Sequence, residues 1–131
     1  MQNIEIEAYL GLLKLKRETV IMAYSENCYI NKTELQRLLL NSVFRLIKYP
    51  GRNTRYNLSI LLNLSLRRVQ VYFQNLRMNL KKTTRGSRRL LENKKPVEME
   101  IGILFSIFLA TLTNRKIDFD RLSEKMEQSN L

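Results

Sequence analysis

The sequence predicts an all-α fold: a three-helix helix-turn-helix unit with additional N- and C-terminal helices. Three observations carry this. Pro and Gly are scarce, two and four in 131 residues, too few for a fold of many tight turns. Leu, Arg, Lys, Asn and Glu dominate, most of them good helix formers. Apolar residues recur at spacings of three and four through most of the chain, the repeat of one helix face. With 44% apolar residues, a core is within reach and global disorder is not expected.

The elements follow in order. Residues 1–24 place Ile4, Ala8, Leu12 and Leu15 at helical spacing, with Leu13, Val20 and Ile21 nearby. They predict an amphipathic helix interrupted at Gly11. Residues 25–31 have little period and read as a connecting arm. Thr33 is a good N-cap, and Gln36 stands three residues later in the capping-box position. The helix it opens groups Leu40, Val43, Phe44 and Ile47 on one face. It must stop before Pro50, because the residue ahead of a proline is pushed out of the α region. Tyr49-Pro50-Gly51 makes the turn.

A second helix is expected over about Arg52 to Leu62, with Leu58 and Leu62 on one face and Leu61 beside them. After a short break at Asn63 to Ser65, Ser65 can cap a third helix from Leu66 to about Lys82. Its apolar stripe is Val69, Tyr72, Phe73 and Leu76. Its other face carries Arg68, Val71, Gln74, Asn75 and Met78. Gly86 suggests a break, and Arg88 to Lys95 read as a basic linker. Pro96 begins a new segment. Ile101 to Leu112 is apolar nearly all round, as a helix buried against a partner is. Ile117, Phe119, Leu122 and Met126 mark a last short helix, with Asp118 or Asp120 near its start. The divisions are therefore 1–24, 25–85, 86–95 and 96–131.

Charge narrows the function. The net +11 is uneven. Residues 1–24 hold three acids and three bases, a net of zero, and residues 25–66 six bases and two acids, a net +4. Residues 67–95 hold ten bases against one acid, a net +9, whereas residues 96–131 hold four bases and six acids, a net −2. A polyanion-binding face has this clustering; solubility alone does not require it.

Histidine is absent and Cys28 is the only cysteine. This excludes an intramolecular disulfide and zinc-finger spacing, and removes the usual general base. Cys28 has no histidine to activate it and is expected to be inert. No catalytic residue, metal site or cofactor is expected, and the chain does not read as an enzyme. The first residues carry early acids and no charged-then-apolar order, so no secretory signal is expected. The longest apolar run has twelve residues, against about 20 for a membrane-spanning helix.

About fifty residues sharing one small core leave function to a surface rather than a pocket. Gln and Asn amides can pair bidentately with adenine in the major groove, while Arg and Lys hold phosphates. Tyr72-Phe73-Gln74-Asn75-Leu76-Arg77-Met78, followed by Lys81 and Lys82, resembles the third-helix signature of homeodomains, Trp-Phe-Gln-Asn-Arg-Arg with Met and basic residues after it. Placing Asn75 on the family's invariant Asn needs no gap upstream. Leu40 and Phe44 then fall on its first-helix core Leu and Phe. Tyr49 and Arg55 fall where Tyr and Arg are common, and Leu64 and Val69 on core positions. The resemblance covers about Ser25 to Arg85.

The resemblance implies a sequence-specific regulator of transcription that binds double-stranded DNA and acts in the nucleus. It implies base contacts from Val71, Gln74, Asn75 and Met78, with Asn75 reading adenine. It implies backbone contacts from Tyr49, Arg55, Arg68 and Arg77, with Lys81 and Lys82 continuing the basic end. Tyr72 replaces the family's Trp. Leu76 replaces an Arg that in the family commonly pairs with an acid, and Asn41 stands at that acid's position. The arm 25–31 has no basic residue, and Tyr29 occupies a common Arg position. A second anchor for the recognition helix is therefore sought in the extensions.

Other readings stay open. Arg85, Arg88, Arg89, Lys94 and Lys95 could be a nuclear-import signal, extra backbone contacts or a solvated tail. The Ile101–Leu112 run could pack on the N-terminal helix, form an oligomerisation surface or lie in a membrane interface. An alternative function is a protein–protein module that forms homo- or heterodimers through 1–24 and 96–131, with DNA contact secondary.

Overall fold

The structure, a computed structural model, describes residues 3–21, 33–83, 91 and 94–129. The arm at 25–31 with Cys28 and Tyr29, the break at Gly86, and Arg85, Arg88 and Arg89 lie outside the described residues. Six helices are described: α1 Asn3–Ile21, α2 Glu34–Leu46, α3 Arg52–Leu62, α4 Leu66–Thr83, α5 Ile101–Leu112 and α6 Phe119–Ser129. The family's three-helix unit corresponds to α2, α3 and α4.

Local signals set the ends of these three. Thr33 closes a full capping box: the Gln36 N–H donates to Thr33 Oγ1 at 3.2 Å, and the Thr33 N–H donates to Gln36 Oε1 at 2.8 Å. The Gln36 amide also donates to the Leu62 carbonyl at 2.7 Å, tying the start of α2 to the end of α3. Ile47 is already extended, so α2 ends ahead of Pro50 as expected. Asn63 closes α3 in the left-handed region, with φ 53° and ψ 45°. Asn tolerates that conformation better than most residues. The Ser65 hydroxyl then accepts the Arg68 N–H at 3.1 Å and caps α4.

The α2–α3 pair is shared by two layers. α4 packs on both helices of the pair, while α1 packs on α3, α5 on α2, and α1 and α5 on each other; α6 closes against α2. One cluster joins them, running from Phe73 and Val69 of α4 through Leu40, Val43 and Leu58 to Leu104 and Ile107 of α5. The Ile101–Leu112 run thus packs on the N-terminal helix and also on α2. No helix of the described chain is long and apolar enough to cross a membrane.

Two expectations for α1 need correction. The helix runs unbroken through Gly11. One mid-helix glycine costs only about 1 kcal/mol relative to alanine, and burial of Ile6 and Leu10 offsets it. The buried face also differs from the expected one. Ile6 and Leu10 are buried and Leu13 packs beside them, whereas Ile4, Leu12 and Leu15 are 76%, 67% and 64% exposed. Both faces are apolar, so periodicity alone did not choose between them.

Residues 97–99, just ahead of α5, contact the α2–α3 turn and the start of α3. The Val97 N–H donates to the Tyr49 carbonyl and the Gly51 N–H to the Val97 carbonyl, each at 2.9 Å, giving a short parallel pairing of Pro50 with Val97. One residue further, the Glu98 carboxylate takes the Asn53 N–H at 3.1 Å and the Thr54 N–H at 2.7 Å. It thereby caps α3, whose own N-cap, Gly51, has no side chain to do so. Thr54, fully buried, donates its hydroxyl to Glu98 at 2.7 Å and accepts the Met99 N–H at 2.8 Å. Among the described residues no buried side-chain polar atom lacks a partner.

Candidate nucleic-acid interface

The candidate interface is the outer face of α4. Val69 and Phe73 are buried, and Phe73 meets Phe44 of α2 with ring centroids 6.2 Å apart. Tyr72, Leu76 and Leu80 pack at the margin of the same core. This pins the helix rotation. Val71, Gln74, Asn75 and Met78, spaced by three, one and three, then form a separate stripe. Gln74 and Asn75 are exposed, Met78 is 53% exposed, and Val71 is half-buried. Among the described residues α4 packs chiefly on α2 and α3, and Gln74, Asn75 and Met78 of this stripe stay exposed. At 18 residues the helix is about 27 Å long.

The expected backbone-contact residues divide into a cluster and two flanks. Arg77, half-buried, donates from Nη1 to the Lys48 carbonyl at 3.0 Å. Its guanidinium carbon lies 4.4 Å from the centroid of the Tyr49 ring. Burial pulls the Arg77 pKa below its ordinary value, Tyr49 pushes it up, and the like charge of Arg55 lowers it. Tyr49, Arg55 and Arg77 are therefore neighbours at the junction of the α2–α3 turn with α4. An arginine with so high a starting pKa stays charged at neutral pH. Arg68, also half-buried, stands in the first turn of α4, nine residues or about 14 Å of helix rise from Arg77. Lys81 and Lys82 are exposed in its last turn.

Two departures from the family motif meet in space. The Tyr72 hydroxyl donates to Asn41 Oδ1 at 2.9 Å. Burial raises the Tyr72 pKa, the larger effect, while Arg37 and the Asn41 bond lower it.

Sequence reasoning missed two contributors. Lys48 orients Arg77 through its backbone carbonyl, a role no side-chain pattern announces. Its own amine donates to the Phe44 carbonyl at 2.8 Å and sits 4.3 Å from the Phe44 ring centroid; burial first, then Arg45, lowers its pKa. The second is the docked segment around Val97, whose partner is 48 residues earlier and leaves no local signal. No group of three or more His, Cys, Asp or Glu able to hold a metal occurs among the described residues.

Comparison with known proteins agrees with this geometry. The Homeodomain family model matches residues 24–82. Homeobox protein HD-4 of Encephalitozoon cuniculi is 42% identical over 74 residues, which are 56% of this chain and 56% of the relative; the chain thus matches little more than half of that protein's length. Homeobox protein HD-11 of the same organism is 33% identical over 101 residues, 76% of this chain and 72% of the relative. Homeobox protein HD-8 is 31% identical over 118 residues, 86% of this chain and 89% of the relative, so its similarity reaches beyond residues 24–82. No solved structure matches. On the shared three-helix unit, the motif register and relatives matched over most of both chains, this protein belongs to the homeodomain family, a family of DNA-binding regulators of transcription.

Proposed function

We propose that this protein binds specific sequences in double-stranded DNA and regulates transcription in the nucleus, with α4 as a helix inserted in the major groove. The observation that carries this reading is the stripe of Gln74, Asn75 and Met78, exposed on the outer face of α4 and rotationally fixed by buried Val69 and Phe73. By family resemblance, Asn75 pairs bidentately with an adenine through N6 and N7. Val71, Gln74 and Met78 contact neighbouring base edges, Val71 meeting a thymine methyl. Tyr49, Arg55, Arg68, Arg77, Lys81 and Lys82 hold phosphates and set the register. Selection of binding sites from random duplex DNA at stated salt tests the proposal. It predicts enrichment of one short motif containing an adenine that Asn75 reads. Recovery of no motif, or equal competition by single strands, would refute it.

A second reading adds self-association. Ile4, Leu12 and Leu15 of α1 are large apolar residues that stand exposed on one stripe of the helix. Such a stripe suits pairing with another helix. Sedimentation of the full chain against Leu12→Glu/Leu15→Glu tests it. A concentration-dependent dimer lost in the variant supports the reading, and identical monomers remove its basis.

A further inference from the structure

The start of α4 breaks a charge rule that the other described helices keep. The unpaired N–H groups of a helix start make that end positive, so acids there stabilise and cations cost stability. α1, α2 and α6 carry Glu5, Glu34 and Asp120 in their first turns. Glu100 is the N-cap of α5, and the Glu98 carboxylate sits on the first N–H groups of α3. α4 has Ser65 as its cap, no acid in its first turn, and Arg67 and Arg68 there instead. No contact of the fold offsets this for Arg67. It is exposed, and its side chain has no hydrogen-bond or ion-pair partner among the described residues. A local rule broken without a structural gain marks a functional position.

Arg67 also stands in line with the base-facing stripe. At 3.6 residues per turn it projects within about 40° of Val71, Gln74 and Met78, and about 160° away from buried Val69. Val71 to Met78 covers about 10.5 Å of helix rise, close to the width of the major groove, about 12 Å. Arg67 stands about 6 Å of rise before Val71, and exposed Lys82 about 6 Å after Met78. A straight helix against a curving duplex holds only its middle turns near base edges, and its ends face the phosphate backbones. The stripe therefore carries one cation at each end of its reading segment.

We propose that Arg67 binds a DNA phosphate at the leading end of the reading stripe, as Lys82 does at the other end. Residues 25–31 carry no Lys or Arg, so this contact supplies from within α4 an anchor that the arm does not. It explains why the helix start keeps a cation that its own fold does not use. This inference rests on the proposed duplex binding of α4.

The test uses the full chain and a duplex that the wild type selects from random sequences. Wild type, Arg67→Ala, Arg67→Lys and Arg115→Ala are compared for the salt dependence of affinity and for preference at each base pair. Arg115 is exposed in the α5–α6 connection and controls for loss of charge alone. Each phosphate contact contributes about −0.9 to the slope of log affinity against log salt. Arg67→Ala is expected to have a slope shallower by about 0.9, so that between about 50 and 200 mM salt it loses about 3.5-fold less affinity than the wild type. Its base preferences should stay unchanged, and its urea midpoint should not fall, because a cation leaves the positive end of a helix. Arg67→Lys and Arg115→Ala should keep the wild-type slope. An Arg67→Ala slope equal to the wild type, an equal change in Arg115→Ala, or an Arg67→Lys slope as shallow as that of Arg67→Ala overturns the phosphate contact while leaving duplex binding intact. An altered preference at one base pair or a lowered urea midpoint in Arg67→Ala overturns it as well. A wild type that selects no duplex overturns both.

Discussion

The Tyr72 hydroxyl donates to Asn41 Oδ1 at 2.9 Å, linking α4 to α2 where the family commonly uses an Arg and an acid. Each residue alone looks like a loss: a Tyr for a Trp, an Asn for a carboxylate. Together they restore a polar tie between the same two helices, without a charged pair whose desolvation would have to be offset. The bond is exposed, so its net worth lies toward the low end for a neutral hydrogen bond. Tyr72→Phe and Asn41→Ala should each cost about 0.5–1 kcal/mol in urea unfolding. The double variant should cost less than the sum, because both remove one interaction. Additive losses would mean that the two side chains act independently.

Glu98 should matter more than its exposed position suggests. It caps α3 from 44 residues away and accepts the hydroxyl of fully buried Thr54. Glu98→Ala leaves those donors without their acceptor and should cost about 1–3 kcal/mol. Glu98→Gln, which keeps an acceptor oxygen, should cost less. Gly51→Ala should reproduce part of the loss, because a Cβ there would collide with the Glu98 carboxylate. Urea midpoints of the three variants check the order.

The C-terminal extension belongs to the same core as the family unit. Leu104 is fully buried in the cluster that also holds Leu40, Val43 and Phe73. Leu104→Ala should cost about 2–5 kcal/mol, the range for emptying a packed leucine site. The loss should appear in one cooperative transition seen by both helix content and tyrosine fluorescence. Two separated transitions would show the extension folding as its own unit.

Gly11 offers a gain. It lies mid-helix, has no positive φ, and a Cβ there would meet nothing within 4 Å. Gly11→Ala should stabilise the chain by about 0.5–1 kcal/mol by removing backbone freedom from the unfolded state. Thermal and urea unfolding should both report the increase.

Helix ends were legible in the sequence wherever one residue or a short pair sets them. Thr33 with Gln36, Pro50 and Ser65 act through atoms three or fewer residues away. The face of α4 was legible because Val69 and Phe73 outbid polar neighbours for the core. The face of α1 was not, since Ile4, Leu12 and Leu15 compete with Ile6, Leu10 and Leu13 and only the packing of α3 and α5 decides. Glu98 on α3, Val97 on Tyr49 and Arg77 on the Lys48 carbonyl were illegible for another reason. Each joins residues 29 to 48 positions apart, and all three use backbone atoms that every residue carries.

Base reading by α4 is proposed to run through Asn75. Its most direct test is the affinity of Asn75→Ala for a duplex selected by the wild type, measured at fixed salt together with each single-base variant of that site. The expected result is a loss of about 1–3 kcal/mol and a flattened preference at one base pair, with folding unchanged because Asn75 is exposed. Unchanged affinity and unchanged preference at every position would contradict it.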